Sequence, residues 1–214
     1  MIIVNFKTYR EATGSNAVRL AEICEQVAKK TGAGITVAAQ AADVRSVADF
    51  VSIPVFAQHI DAVDYGAHTG ATLAEALHEA GASGSLINHS EQRLELRQVD
   101  ACVKKLKSLG MTSVACAAND EEGMNIARFG PDYIAVEPPE LIGGAVSVST
   151  AKPELISNSV KKIRCNVLVG AGIKNGNDVA IAKKLGARGI LVASGIVKAA
   201  SPERALTELA EAMK

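Results

Sequence analysis

Three titratable side chains stand directly after short apolar runs, where a strand would end. Lys7 closes the motif NFK (residues 5–7), His89 lies in NHSE (88–91), and Glu137 follows the first residue of VEPPELIGG (136–144). A lysine withdrawn from water needs an anionic partner or substrate. A neutral imidazole can donate a hydrogen bond to a substrate oxygen, and a carboxylate shielded from water can act as a base. The motifs thus contain the groups that a proton-transfer reaction on an anionic substrate requires, although a structural role is the default for Lys7 or His89 taken alone and is an equal alternative for Glu137.

The surroundings of Glu137 predict a closing flap. Pro138 and Pro139 are expected to stiffen the exit from the strand, and glycines such as Gly143 and Gly144 can take up backbone changes that other residues resist. A rigid flap hinged beside a carboxylate excludes water from it and strengthens it as a base. The alternative interpretation is an ordinary acid before a rigid surface turn.

His89 falls between an expected strand end and an expected helix start. Exposed backbone N–H groups and the positive end of a helix dipole disfavour the imidazolium at such a position. We therefore expect His89 to be neutral.

Two glycine-containing motifs, GAGI (170–173) and ASG (193–195), follow the last two strand-like runs. Small residues let backbone N–H groups approach an anion closely, which predicts phosphate binding. The stretch GAGIKNG also invites comparison with a dinucleotide fingerprint. Its glycine spacing is one residue too long, however, and it follows a late strand instead of the first one.

Short apolar runs without polar alternation suit strands that are buried on both faces. They alternate with helical patterns, of which the last has Ser201 as its expected N-cap and Pro202 as its first residue. Eight such repeats predict a closed (β/α)8 barrel formed by one domain, residues 1–214, in preference to an open sheet. Its active site would lie on the loops that follow the strands. The expected strands are Ile2 to Phe6, Ile35 to Ala39, Pro54 to Ala57, Ser85 to Asn88, Ser113 to Ala117, Tyr133 to Val136, Val167 to Val169 and Ile190 to Ala193.

The composition disfavours several other classes of protein. Lys and Arg number 23, as do Asp and Glu, so no basic field exists to hold nucleic acid or an anionic membrane. The four cysteines are far apart, which predicts reduced core thiols and no metal site; Cys116, near a strand end, lacks an evident base. His59, His68 and His78 show no ligand spacing and are interpreted as structural or interface residues. The N-terminus lacks a signal-like apolar segment, and a cytoplasmic location is expected.

The motifs NFK, NHSE, VEPPELIGG, GAGI and ASG, in this order at the ends of strands 1, 4, 6, 7 and 8, resemble the triosephosphate isomerase family, in particular its short archaeal-type branch. The resemblance extends over essentially the whole chain. It implies a TIM barrel that interconverts dihydroxyacetone phosphate and D-glyceraldehyde 3-phosphate in glycolysis and gluconeogenesis. It also implies that the reaction needs no metal or organic cofactor.

The resemblance further implies roles for single residues. Glu137 would be the base that moves a proton between C1 and C2, and neutral His89 the electrophile, a division of labour for which this family is the standard example. Lys7 would be the electrostatic anchor, with Asn5 beside it and Glu91 as its carboxylate partner. The remaining substrate-binding positions, which would hold phosphate through backbone N–H groups, are Ile142, Gly143, Gly172, Ala193 and Ser194.

One loop and one departure bear on assembly and on the flap. Residues 66–70, GAHTG, resemble the family's interface loop and predict a homo-oligomer, either a dimer or a tetramer. Gly144 and Ala145 stand where relatives usually have Thr and Gly, so altered flap closure is expected. Two alternatives remain: another barrel enzyme acting on a phosphorylated small molecule, and a catalytically inactive barrel that binds a phosphate ligand.

Overall fold

The structure, a computed structural model, describes residues 1–138 and 153–214. The predicted flap residues Pro139, Gly143 and Gly144, and the predicted phosphate contact at Ile142, lie outside the described residues. The remaining site residues of the prediction lie inside them.

Eight parallel strands form a closed barrel in chain order, which confirms the predicted fold class. The strand boundaries agree with the sequence prediction to within a residue. Phe6 lies just beyond the first strand, although its N–H still donates to the Ala38 carbonyl at 3.0 Å. The strands are β1 (Ile2–Asn5), β2 (Ile35–Ala39), β3 (Val55–Ala57), β4 (Gly84–Ile87), β5 (Thr112–Ala117), β6 (Tyr133–Val136), β7 (Asn166–Val169) and β8 (Gly189–Val192).

Helices of very unequal length connect the strands. The helices after β2, β3 and β5 are short and have 5, 6 and 8 residues, respectively. The last helix begins as predicted, because the Ser201 hydroxyl accepts a hydrogen bond from the Arg204 N–H and Pro202 is the first helical residue. The described α-helices are α1 (Ser15–Thr31), α2 (Val44–Ala48), α3 (Ala74–Glu79), α4 (Leu96–Ser108), α5 (Asp120–Ala127), α6 (Pro153–Lys162), α7 (Gly176–Lys184), α8 (Ser194–Val197) and α9 (Pro202–Ala212), and a single 3-10 turn covers Arg10–Ala12.

The core has two layers, which explains why the strands are apolar on both faces. Ile2 and Val4 point outward into the layer between the sheet and the helices, whereas Ile3 points into the barrel. The barrel interior also takes the ring of Phe56 from β3. A Cβ atom at Gly84 on the neighbouring strand would lie 2.6 Å from that ring, so the large residue on one strand requires the small residue on the next.

The barrel closes where β8 pairs with β1. Ile2 lies opposite Ile190 and Val4 opposite Val192, so the loops that follow these two strands leave the barrel side by side. This junction matters for the site described below, because one of these loops carries Lys7 and the other carries Ser194.

Within residues 1–138 and 153–214, no helix is both long and apolar enough to cross a membrane.

Candidate active site

Glu137 is held at the mouth of the barrel by the backbone of its own sheet. It follows the last residue of β6, and its N–H donates to the Ala117 carbonyl of β5 at 2.8 Å. On the other side, the Gly170 N–H donates to the Val136 carbonyl at 3.1 Å. The ladder therefore continues one residue beyond the strand. Glu137 is 4% exposed, so its carboxylate is withdrawn from water.

His89 lies in a turn after β4, and the turn determines which nitrogen carries its proton. The Gln92 N–H donates to the His89 carbonyl at 2.8 Å, and the Glu91 N–H donates to Nδ1 of the ring at 3.2 Å. Because Nδ1 accepts a hydrogen bond, the proton of the neutral ring is on Nε2. Nε2 lies 3.6 Å from Oε2 of Glu137, so the N–H group and the carboxylate face the same space.

The pKa of His89 is lowered to about 4, first by burial of the ring and then by the positive charge of Lys7. The imidazole is therefore neutral, in line with the sequence expectation, but the expected cause was wrong. The nearest helix, α4, begins at Leu96 and leaves a turn between itself and His89. The Glu91 N–H, which donates to Nδ1, is the backbone group that faces the ring in place of the expected helix terminus.

Asn88 supports His89 in a way that sequence reasoning missed. Its backbone is left-handed, with φ of 60°, just after β4 ends at Ile87. Its side chain makes hydrogen bonds beyond the end of that strand. The side-chain amide donates to the Cys116 carbonyl and to Glu122, and its oxygen accepts the Leu94 N–H at 2.9 Å. An asparagine at a strand end is a recognisable signal for this conformation, since Asn is among the residues that tolerate it best.

Lys7 also has a left-handed backbone, with φ of 46°. Its N–H donates to Oδ1 of Asn5 at 2.9 Å, and this contact stabilises the turn after β1. The side chain is 12% exposed, and Nζ lies 2.7 Å from Oε1 of Glu91, the partner that the family resemblance implied. Two nonglycine residues with this unusual backbone thus flank one site, as is common where side chains are held for chemistry.

The pKa of Glu137 is raised to about 7, because burial of the carboxyl outweighs the opposing effects of the Cys116 thiol and the Lys7 charge. Oε2 has no hydrogen-bond partner within residues 1–138 and 153–214. A buried carboxylate with a raised pKa, one of whose oxygens has no hydrogen-bond partner, accepts a proton more readily than a solvated carboxylate does. Burial also raises the pKa of Cys116 well above its usual value, so this thiol stays protonated and is a poor nucleophile.

A cavity of about 410 Å³ opens at the carboxyl ends of the strands and joins these side chains to the two small-residue motifs. Gly172 is left-handed, with φ of 67°, and Ala193 and Ser194 are half-buried at the start of α8. Tyr9 and Lys174 also line the cavity, and neither was identified from the sequence. The lining residues include Asn5, Lys7, Tyr9, His89, Glu137, Gly170, Gly172, Ile173, Lys174, Ala193, Ser194 and Gly195.

The other histidines do not line this cavity, although His59 shares a neighbouring cleft with Lys7 and His89. His59 Nε2 is 3.1 Å from Asp61, at the base of the loop that carries residues 66–70. The Asp61 carboxylate also accepts the Thr72 N–H at 2.7 Å, which closes the base of the loop. In the two described ranges no three His, Cys, Asp or Glu side chains are grouped so as to hold a metal ion.

A closed parallel barrel with a buried acid, a neutral imidazole and an ion-paired lysine around one cavity has the architecture of a (β/α)8 enzyme of the acid–base type. The family model for triosephosphate isomerase matches residues 1–213. Proteins named triosephosphate isomerase from Methanothermus fervidus and Methanothermobacter thermautotrophicus are 49% and 50% identical over 98% of this chain, covering 96% and 93% of theirs. That of Methanocaldococcus jannaschii is 45% identical, with 98% of each chain covered.

The fold is similar to that of triosephosphate isomerase from Bartonella henselae, with a TM-score of 0.74 over 99% of this chain and 97% of the other, at 18% identity. The chain belongs to the triosephosphate isomerase family, and its similarity to archaeal members over nearly its full length gives it the isomerase function of that family.

Proposed function

We propose that Glu137, His89 and Lys7 carry out the interconversion of dihydroxyacetone phosphate and D-glyceraldehyde 3-phosphate. The observation that carries this proposal is the 3.6 Å separation of Oε2 of Glu137 and Nε2 of His89 across one buried space. A proton acceptor and a hydrogen-bond donor this close can act on adjacent atoms of one small substrate. A carbon-bound proton and the neighbouring carbonyl oxygen are such atoms.

In the proposed reaction, Oε2 of Glu137 takes a proton from C1 of dihydroxyacetone phosphate. The electrons of the C–H bond form the C1–C2 double bond, and negative charge develops on the carbonyl oxygen at C2. The Nε2–H of His89 donates to this oxygen, and proton exchange through the ring transfers a proton from the O1 hydroxyl to O2. Glu137 then returns its proton to C2, and C1 becomes the aldehyde.

The electrostatics support these roles. Glu137 with a pKa of about 7 is a much stronger base than a solvated glutamate and is still largely ionised at slightly alkaline pH. His89 with a pKa of about 4 donates as a neutral imidazole and does not compete for the proton. Lys7, held by Glu91, places a positive charge beside the oxygens on which negative charge develops.

The phosphate group of the substrate would bind to backbone N–H groups of Gly172, Ala193 and Ser194 at the far end of the cavity. The left-handed backbone of Gly172 and the small size of all three residues favour close approach of an anion. Ile142 and Gly143 are further proposed contacts. We also propose that residues 1–214 act as one domain, that the chain forms a homo-oligomer through the loop at residues 66–70, and that it works in the cytoplasm.

The test is turnover of D-glyceraldehyde 3-phosphate, coupled to NADH oxidation by glycerol-3-phosphate dehydrogenase. Wild type is compared with Glu137→Gln, which keeps the shape of the side chain, and with Glu211→Gln, which removes an exposed carboxylate on α9. We expect Glu137→Gln to lower kcat by roughly 100- to 10,000-fold and Glu211→Gln to match wild type. A wild type that is silent yet binds 2-phosphoglycolate would instead indicate an inactive phosphate-binding barrel.

A further inference from the structure

A contact between Tyr9 and Lys198 bridges the segment that follows β1 and the segment that follows β8. Nζ of Lys198 lies 4.2 Å from the centroid of the Tyr9 ring, within the range of a cation–π interaction. Tyr9 follows β1, and Lys198 follows α8. Since β1 and β8 are hydrogen-bonded neighbours, the contact spans the junction between the loop that carries Lys7 and the loop that carries Ser194.

The Tyr9 ring stands on a well-anchored backbone. The Tyr9 carbonyl accepts the Ala12 N–H and the Thr13 hydroxyl, both at 2.9 Å. Gln40, just beyond β2, donates to the same hydroxyl oxygen at 3.0 Å and ties the turn to the next strand. Tyr9 packs against the hydrophobic core and also lines the cavity. The core contacts therefore hold the ring in place at the cavity wall.

Lys198 is tied to the proposed phosphate site by its backbone. Its N–H donates to the Ser194 carbonyl at 3.0 Å, one helical turn from the proposed phosphate contacts. The side chain itself is exposed. An exposed lysine has many rotamers of similar energy, and a ring under its ammonium group selects among them.

We propose that Tyr9 is a positioning residue for the phosphate of the substrate. Its ring lines the cavity and holds the ammonium group of Lys198 4.2 Å from the ring centroid, where the positive charge favours binding of a phosphate dianion. Lys198 does not need to touch the phosphate, because the attraction between opposite charges extends beyond direct contact. The inference rests on the proposed function for the identity of the ligand and adds two residues to the site.

Four variants distinguish the contribution of the Tyr9 ring from that of the Lys198 charge. Tyr9→Leu removes the ring, and Tyr9→Phe keeps it. Lys198→Met removes the charge, and Lys198→Arg keeps it. Lys107→Met is the matched control, because it removes an exposed lysine from α4, away from the cavity. The primary measurement is the Kd of 2-phosphoglycolate by calorimetry, together with KM and kcat for D-glyceraldehyde 3-phosphate and kcat/KM for unphosphorylated D-glyceraldehyde.

We expect Tyr9→Leu and Lys198→Met each to raise Kd and KM by about two- to fivefold, the size of one partly exposed cation–π contact, with kcat and the glyceraldehyde reaction unchanged. Tyr9→Phe and Lys198→Arg should restore tight binding. The double variant Tyr9→Leu/Lys198→Met should have the same Kd as the single variant that binds 2-phosphoglycolate less tightly. The effects do not add, because both substitutions remove the same interaction between Tyr9 and Lys198. The loss should shrink as salt is added.

Additive losses in the double variant, equal losses with both substrates, or unchanged Kd values would overturn the inference. Calorimetry keeps this test independent of turnover. If wild type binds 2-phosphoglycolate but does not isomerise the triose phosphate, the proposed function fails while the role of Tyr9 is still measured. If turnover is normal and Kd does not respond, the role of Tyr9 alone fails.

Discussion

The backbone of Gly170 lies directly against the side chain of Glu137. A Cβ atom at position 170 would be 2.4 Å from Cγ of Glu137 and 2.9 Å from its Cδ, much closer than two carbon atoms approach. The first glycine of GAGI therefore makes room for the proposed base. The glycine at position 172, with its left-handed backbone, remains the one suited to an anion. The GAGI motif therefore needs its first glycine to leave space for Glu137 and its second glycine to bind the phosphate.

This contact predicts the effect of Gly170→Ala. The added methyl group would push against the middle of the Glu137 side chain and displace its carboxylate, while the barrel around it stays paired. We expect kcat to fall on the order of 100-fold with little change in the circular dichroism spectrum. Gly34→Ala is the matched control, because nothing lies within 4 Å of a Cβ atom there. A Gly170→Ala enzyme that turned over like wild type would show that the position of Glu137 tolerates such a shift.

Much of the fold could be predicted because each strand is a short apolar run whose neighbours in sequence are also its neighbours in the barrel. The fold places Lys7, His89 and Glu137 around one cavity because all three follow strands, and parallel strands bring their carboxyl ends to one face. What the sequence could not supply were contacts that depend on three-dimensional distance. The clearance between Gly170 and Glu137 and the stacking of Lys198 on Tyr9 leave no periodic pattern.

The neutral state expected of His89 agrees with its lowered pKa, but the physical cause differs from the expected one. A strand end followed by a helix suggested a dipole effect, yet burial and the nearby Lys7 charge lower the pKa. Burial of one polar residue depends on how all the loops pack over it. A single motif does not contain that information.

The raised pKa of Glu137 predicts the acidic limb of the pH–rate profile. The base must be ionised to act, so kcat/KM should fall tenfold per pH unit below about 7. His89 stays neutral through this range because its pKa is about 4. The profile is best measured with unphosphorylated D-glyceraldehyde, since the phosphate of the normal substrate titrates near pH 6. A kcat/KM that stays flat down to about pH 5 would mean that Glu137 keeps an ordinary carboxyl pKa.

The hydrogen bond from the Glu91 N–H to Nδ1 predicts the tautomer of His89. Nitrogen-15 NMR of histidine-labelled protein should show a neutral ring protonated at Nε2, with no titration between about pH 5 and pH 9. His89→Gln identifies the signal, because that variant lacks only the resonance in question. A ring protonated at Nδ1 would remove the proposed donor from the side that faces Glu137 and would contradict its role as electrophile.

The buried carboxylate also has a consequence for stability. Unfolding returns Glu137 to an ordinary pKa near 4.5, whereas in the folded chain the value is about 7. Ionised Glu137 therefore destabilises the fold above pH 7, by on the order of 3 kcal/mol, and this cost disappears as the pH falls towards 4.5. The variant Glu137→Gln, which cannot ionise, should have a Tm several degrees above wild type at pH 8 and a smaller advantage at pH 5. Glu211→Gln, an exposed change, controls for the loss of one charge. A Tm for Glu137→Gln below that of wild type at pH 8 would show that the buried carboxylate is fully compensated by its surroundings.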